Sequence, residues 1–198
     1  MNYTERRKEQ AQKTETAILN AALALMRESG FEAVTVRDIC KTAGITTGAF
    51  YHHFQSKEEL FDKGFAPLDQ FIERALAQET ATDPAQRLKT ILCSYALFME
   101  ECGELAAQYY QRRLVNPEMT SMDATRNILR VMVDCFVQAQ EMGIAVLRND
   151  PKWTANFCYC HFRGVVIDWL LSRRSYSLQE KMMDEFALLE DVLKYDEI

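Results

Sequence analysis

Residues 35–60 read TVRDICKTAGITTGAFYHHFQSKEEL, and the reading of this run decides the fold. Thr35 with Asp38 three residues on makes a short capping box. Val36, Ile39 and Cys40 then follow at helical spacing, and Gly44 supplies the stop just past a helix end. A second, short helix opens at Thr46-Thr47-Gly48-Ala49, with Ile45 and Phe50 as its core residues. Ser56 with Glu59 is a full capping box, after which Leu60, Phe61 and Phe65 recur at helical steps. Helix, glycine turn and short second helix are the plan of a helix-turn-helix. The second helix of such a unit enters the major groove of DNA and offers its amino-terminal residues to base edges.

The side chains at that start suit the task. Thr46, Thr47, Gly48 and Ala49 are small or hydroxylated, so backbone can approach a duplex and hydroxyls can meet phosphates or bases. Tyr51 and His52 follow on the same turn and can reach phosphates. Thr35 and Arg37, at the start of the preceding helix, are further candidates, and Lys57 sits in the first turn of the next helix, where an ammonium can meet a phosphate. The bland alternatives are that Thr46 and Thr47 simply cap a helix and that Tyr51 is a partly buried core ring. Phe50 and Phe54, four residues apart, read as core. His52-His53 does not read as a metal pair, because adjacent helical residues point about 100° apart.

The stretch resembles the TetR family of bacterial transcriptional regulators. Residues about 14–60 carry the pattern: a first helix ending in Gly30-Phe31, then Thr35-Val36-Arg37-Asp38-Ile39, Ala43-Gly44-Ile45, Gly48-Ala49-Phe50-Tyr51-His52-His53-Phe54 and Ser56-Lys57-Glu58-Glu59-Leu60. The resemblance implies a homodimer that reads a palindromic DNA operator, most often as a repressor, and is released by a small-molecule effector held in the carboxy-terminal body. It also implies a dimer interface built from the last two helices.

Working outward, the spacing is helical nearly throughout and the fold class is all-α: a helix-turn-helix domain over residues 1–60, with a basic arm at 1–13, and a ligand-binding and dimerisation bundle over 61–198. About nine helices are expected. The one beginning near residue 57 is read as continuing to about 80, with others at 84–102, 104–115, 121–147, 151–173 and 177–195. Asp83-Pro84 and Asp150-Pro151 mark helix starts, as does the Ser177…Glu180 box. The arm holds Arg6, Arg7, Lys8 and Lys13 and reads as a mobile, solvated charge run, with phosphate contact as the alternative.

The chain has 198 residues and a net charge of −6. Residues 1–65 hold nine Lys/Arg and nine Asp/Glu, so the acidic balance belongs to the remainder. That argues against non-specific coating of nucleic acid and leaves room for a neutral DNA-reading head. No apolar run reaches the length of a membrane span, and the opening MNYTERRKEQAQKTE lacks the apolar core of a secretory signal. Six Cys without extracellular cues point to a reducing cytoplasm. No cofactor is implied, and no motif for phosphate cradling, zinc hydrolysis or nucleophilic catalysis occurs, so an enzyme is not expected.

The body is rich in aromatics and sulfur. Packed core explains any one of them, but a bundle can also enclose an apolar pocket with a few polar anchors. Tyr95, Met99, Tyr109, Tyr110, Arg112, Met132, Phe136, Phe157 and His161 are the candidates for lining it, and the effector they suggest is hydrophobic or aromatic. A thiol-responsive regulator is the rival reading. Cys158 and Cys160, two apart on a helix, point in nearly opposite directions, and Cys158 with His161 supplies two ligands against the usual four of structural zinc.

Overall fold

The computed structural model describes residues 3–65, 67–79, 83–115, 123–145 and 147–193. Among the described residues there are ten helices and no strand: α1 (Tyr3–Ser29), α2 (Val36–Ala43), α3 (Thr47–His53), α4 (Lys57–Lys63), α5 (Pro67–Gln78), α6 (Pro84–Cys102), α7 (Glu104–Val115), α8 (Asp123–Glu141), α9 (Pro151–Leu171) and α10 (Leu178–Leu193). The chain divides into two compact units. One comprises residues 1–66 and 104–119, the other residues 67–103 and 120–198.

In the first unit, the local signals do what their chemistry requires. Thr35 caps α2 by accepting from the Asp38 N–H while the Asp38 carboxylate takes the Thr35 N–H at 2.9 Å. Gly44 ends the helix at φ +67°, a left-handed conformation that costs glycine little. Thr46 Oγ1 caps α3 on the Ala49 N–H at 3.1 Å, and Ser56 caps α4 on Glu59. Helices α1, α2, α3 and α4 close on a core of Ile18, Met26, Ile39, Phe50, Phe54, Leu60 and Phe61, all essentially without solvent contact. Burying each such side chain contributes about 1.5–3 kcal/mol.

Three expectations are corrected here. The segment 1–13, read as a mobile arm, is helical from Tyr3 onward. It holds no Gly or Pro, is rich in helix-forming Glu, Gln, Arg and Lys, and Lys13 pairs with Glu9 at 2.7 Å. The helix expected from about 57 to 80 is two helices, giving ten instead of nine: Gly64 caps α4, and a Cβ there would lie 2.9 Å from both Leu23 Cδ2 and the Phe61 carbonyl. Helix α8 stops at Glu141 rather than near 147, because Gly143 turns left-handed and the Ile144 N–H returns to the Ala139 carbonyl. Met119 and Met122 lie outside the described residues.

The second unit packs α6 against α5, α8 and α10, and α9 against α8 and α10. Ile91, Tyr95, Met99, Met132, Phe136, Phe162, Val166, Trp169 and Met182 form its core. Glu100 on α6 reaches the start of α10, accepting from the Leu178 N–H at 2.6 Å and the Gln179 N–H at 3.4 Å. A carboxylate there meets amides that have no helical partner.

Candidate nucleic-acid interface

Helix α3 is seven residues long and two-faced. Phe50 is fully buried, and Phe54 at its end is nearly so. Their ring centres lie 5.7 Å apart, tilted by 36°, and the pair fastens the helix to the first unit. The other face is open: Thr46, Thr47, Gly48, Tyr51 and His52 are all exposed. The Tyr51 ring stands edge-on to Phe50 at 5.3 Å yet remains 56% exposed, so its hydroxyl is available for a polar partner. Gly48 is exposed, and a Cβ on it would meet nothing closer than Thr46 Oγ1 at 3.9 Å. Thr35 and Arg37 are exposed at the start of α2.

Lys57 is placed differently from the other candidates. Its ammonium donates to the carbonyls of Phe31 and Val34, both at 2.8 Å, and lies 4.1 Å from the Phe31 ring centre. Two of its three N–H donors therefore hold the α1–α2 connection. The opposite side of that connection is held from α7. Gln108 accepts from the Phe31 N–H at 2.8 Å and donates to the Met26 carbonyl, and the Arg112 guanidinium lies 3.7 Å from the Phe31 ring centre. Arg112 also pairs with Glu32 at 3.3 Å. Phe31 is thus gripped by two cations, an arrangement the sequence reading missed.

The nine pocket candidates divide between the two units. Tyr95 and Met99 on α6, with Met132 and Phe136 on α8, are buried in the core of the second unit. Tyr109, Tyr110 and Arg112 belong to the first unit. There Tyr109 stacks on Phe65 at 4.1 Å and accepts from Arg113 at 3.0 Å, and burial pushes its phenol above the usual range. Phe157 is an exposed residue of α9, stacked in parallel on Trp153 at 5.5 Å. His161 Nε2 meets Glu185 of α10 at 2.6 Å, and Glu185 also pairs with Lys181. Its polar atoms serve helix packing. The thiols separate as well: burial pushes Cys158 up to about 12, whereas Cys160 is exposed.

Residues 18–63 match the family model described as bacterial regulatory proteins, tetR family. Along nearly its whole length the chain is similar to the probable acrEF/envCD operon repressor of Escherichia coli strain K12, 27% identical over 96% of this chain and 89% of that protein. Over 69 residues it is 46% identical to the HTH-type transcriptional regulator UidR of the same strain, covering 35% of this chain and 34% of that one. Among solved structures, the fatty acid degradation regulator FadR of Bacillus halodurans superposes with a TM-score of 0.77 at 21% identity, over 92% of this chain and 97% of that one. FadR of Bacillus subtilis in complex with stearoyl-CoA gives 0.75 at 20% identity, over 88% and 96%. These structural likenesses speak to the fold: an amino-terminal helix-turn-helix followed by a helical bundle.

Proposed function

Since the chain belongs to the tetR family of bacterial regulatory proteins, we propose that it is a repressor acting in the cytoplasm, binding a palindromic DNA operator as a homodimer. In this reading residues 1–60 form the DNA-binding head and 61–198 the body that takes effector and partner. The open face of α3, from Thr46 to His52, carries the proposal. It is small, hydroxylated and aromatic, and it is backed by the buried Phe50 and Phe54. Thr47 and Gly48 meet base edges; Thr35, Arg37, Tyr51 and His52 meet phosphates. Lys57 contributes by fixing the α1–α2 connection, with one N–H left for a phosphate.

A second copy would dock on α9 and α10. Trp153, Phe157 and Leu171 on α9 and Leu188 on α10 are exposed apolar residues of the kind that dimer interfaces cover. Two-fold symmetry then sets the two recognition helices on successive major grooves, about 34–36 Å apart. The effector is a small hydrophobic or aromatic molecule bound in the second unit beside Tyr95, Met99, Met132 and Phe136. The stearoyl-CoA found with FadR of Bacillus subtilis supports an apolar chemistry for it. An effector that binds the body better in a splayed dimer draws the population away from the operator-competent spacing. No observation favours the thiol-responsive alternative, and burial holds Cys158 up to about 12, where it carries almost no reactive thiolate at neutral pH.

Selection from a pool of random-sequence duplexes tests the reading. The expected outcome is an enriched palindrome bound by two protomers, with affinity falling steeply as salt rises. Binding that shows no sequence preference, or a monomer at micromolar concentration in sedimentation, would refute it. A thermal-shift screen with acyl-CoAs and planar aromatic drugs tests the effector class.

A further inference from the structure

We infer that the amino-terminal half of α1 is a second DNA-contacting element, a helical arm whose basic stripe lies along phosphates flanking the bases read by α3. The inference rests on the DNA-binding reading above and deepens it.

Three observations carry it. First, every residue from Tyr3 to Lys13 is exposed, and Ile18 is the first buried residue of α1. About 22 Å of helix therefore runs beyond the packed core, at 1.5 Å per residue. Second, this rod is basic within an acidic protein. Residues 3–13 hold four Lys/Arg against two Glu, while the whole chain carries −6. The charges are sorted by the helical repeat. Tyr3, Arg6, Gln10 and Lys13 recur at three- and four-residue steps with Arg7 at their edge, whereas Glu5, Glu9, Gln12 and Thr16 form a separate stripe, and Lys8 falls beside Glu15. Third, the rod starts where α1 meets α4, beside the residue that caps the end of α3. Glu15 pairs with Lys63 at 3.6 Å, and the Lys63 ammonium lies 4.9 Å from the ring centre of Phe54, the residue that ends α3. The other end of α1 is the one held by Gln108, through the Met26 carbonyl.

A polar, exposed helical stretch draws little stability from its own length, and the exposed Lys13–Glu9 pair adds little to it. Phosphates can therefore take over the cations at small cost. Duplex DNA offers charges at a density that suits a basic stripe three helical turns long, and releasing condensed counterions supplies the driving force. Such contact strengthens binding to every sequence alike and leaves base preference to α3.

The test uses the full-length protein, a duplex selected from the random pool and a scrambled duplex of the same composition. The triple variant R6Q/R7Q/K13Q keeps helix-forming residues throughout; its circular dichroism should match the wild type. It should bind both duplexes about tenfold more weakly at physiological salt, with the salt slope reduced by about 0.9 for each phosphate given up and the selected-to-scrambled ratio unchanged. K8Q, which removes a charge from the other side of the rod, should change affinity by less than twofold. If K8Q costs as much per charge as the triple variant, the effect is a general field and the contact inference falls. If the triple variant binds like the wild type, the arm is a solvated charge run and the inference falls alone. A wild-type protein that selects no duplex would overturn the function itself.

Discussion

The Arg112 guanidinium lies 3.7 Å from the centre of the Phe31 ring, with the Lys57 ammonium 4.1 Å from the same centre. One aromatic residue of the α1–α2 connection is held by cations from two helices, α7 and α4. A guanidinium on an aromatic face contributes about 0.5–2 kcal/mol, more as water is excluded, and the Arg112 side chain is only 15% exposed. Arg112→Ala should therefore lower stability in urea by about 1–2 kcal/mol. Arg112→Lys should recover little of it, since an ammonium cannot stack and pair with Glu32 in the same plane.

Lys57→Ala separates two roles for one ammonium. Its hydrogen bonds to the Phe31 and Val34 carbonyls are charge-assisted, worth about 1.5–3 kcal/mol for such a group, so the melting temperature should fall. Operator affinity should fall with it, because the start of α2 loses its anchor. If the ammonium acts through this anchor, the slope of affinity against salt should stay close to that of the wild type in anisotropy titrations. A slope lowered by about one for each protomer would instead assign Lys57 to a phosphate.

Neighbouring threonines should part company. Thr46 caps α3 through its hydroxyl on the Ala49 N–H, so Thr46→Ala should cost about 1 kcal/mol of stability, and Thr46→Ser should restore it. Thr47 lies exposed on the next position. Thr47→Ala should leave urea unfolding within about 0.5 kcal/mol of the wild type while relaxing preference at one base step in a repeated selection. Tyr51→Ala should weaken all duplexes alike.

The caps and turn of the helix-turn-helix were legible in the sequence because their signals are local. Thr35 with Asp38, Gly44, and Ser56 with Glu59 act over three or four residues, and that is the reach of a cap. The grip on Phe31 was not legible: Lys57 is 26 positions away from it and Gln108 is 77, and no periodicity marks such pairs. For the same reason Tyr109 and Arg112 were read as pocket residues, although α7 is part of the first compact unit. Tyr95, Met99, Met132 and Phe136, read as pocket candidates with packed core as the alternative, are buried in the second unit. Phe157 is exposed in the single chain; α9 is apolar on several faces, and its own pattern does not say which one is covered. The arm was read as mobile because it is polar all round; the absence of Gly and Pro was the signal that it is helical.

The thiols give a final contrast, set by burial. Cys158 is held up to about 12 because desolvation penalises the thiolate, and Cys135 is raised for the same reason. Cys160, two residues from Cys158, is exposed. At pH 8 a disulfide reagent should label Cys158 and Cys135 only as fast as the protein opens, whereas Cys160, on the α9 face that carries Trp153, Phe157 and Leu171, should react fast in a monomer and slowly where a second copy covers that face. The sign of the linkage follows from the raised value. Below the ordinary thiol range both folded and unfolded chains keep the proton, and the full stability is present. As pH rises from about 9 towards about 12, only the unfolded chain ionises at this position, so stability declines over that window. Urea unfolding at pH 7, 9 and 10.5 should show the decline, and Cys158→Ala should flatten it. Fast labelling of Cys158 at pH 8 would mean that α9 does not bury the face carrying Cys158, Phe162 and Val166.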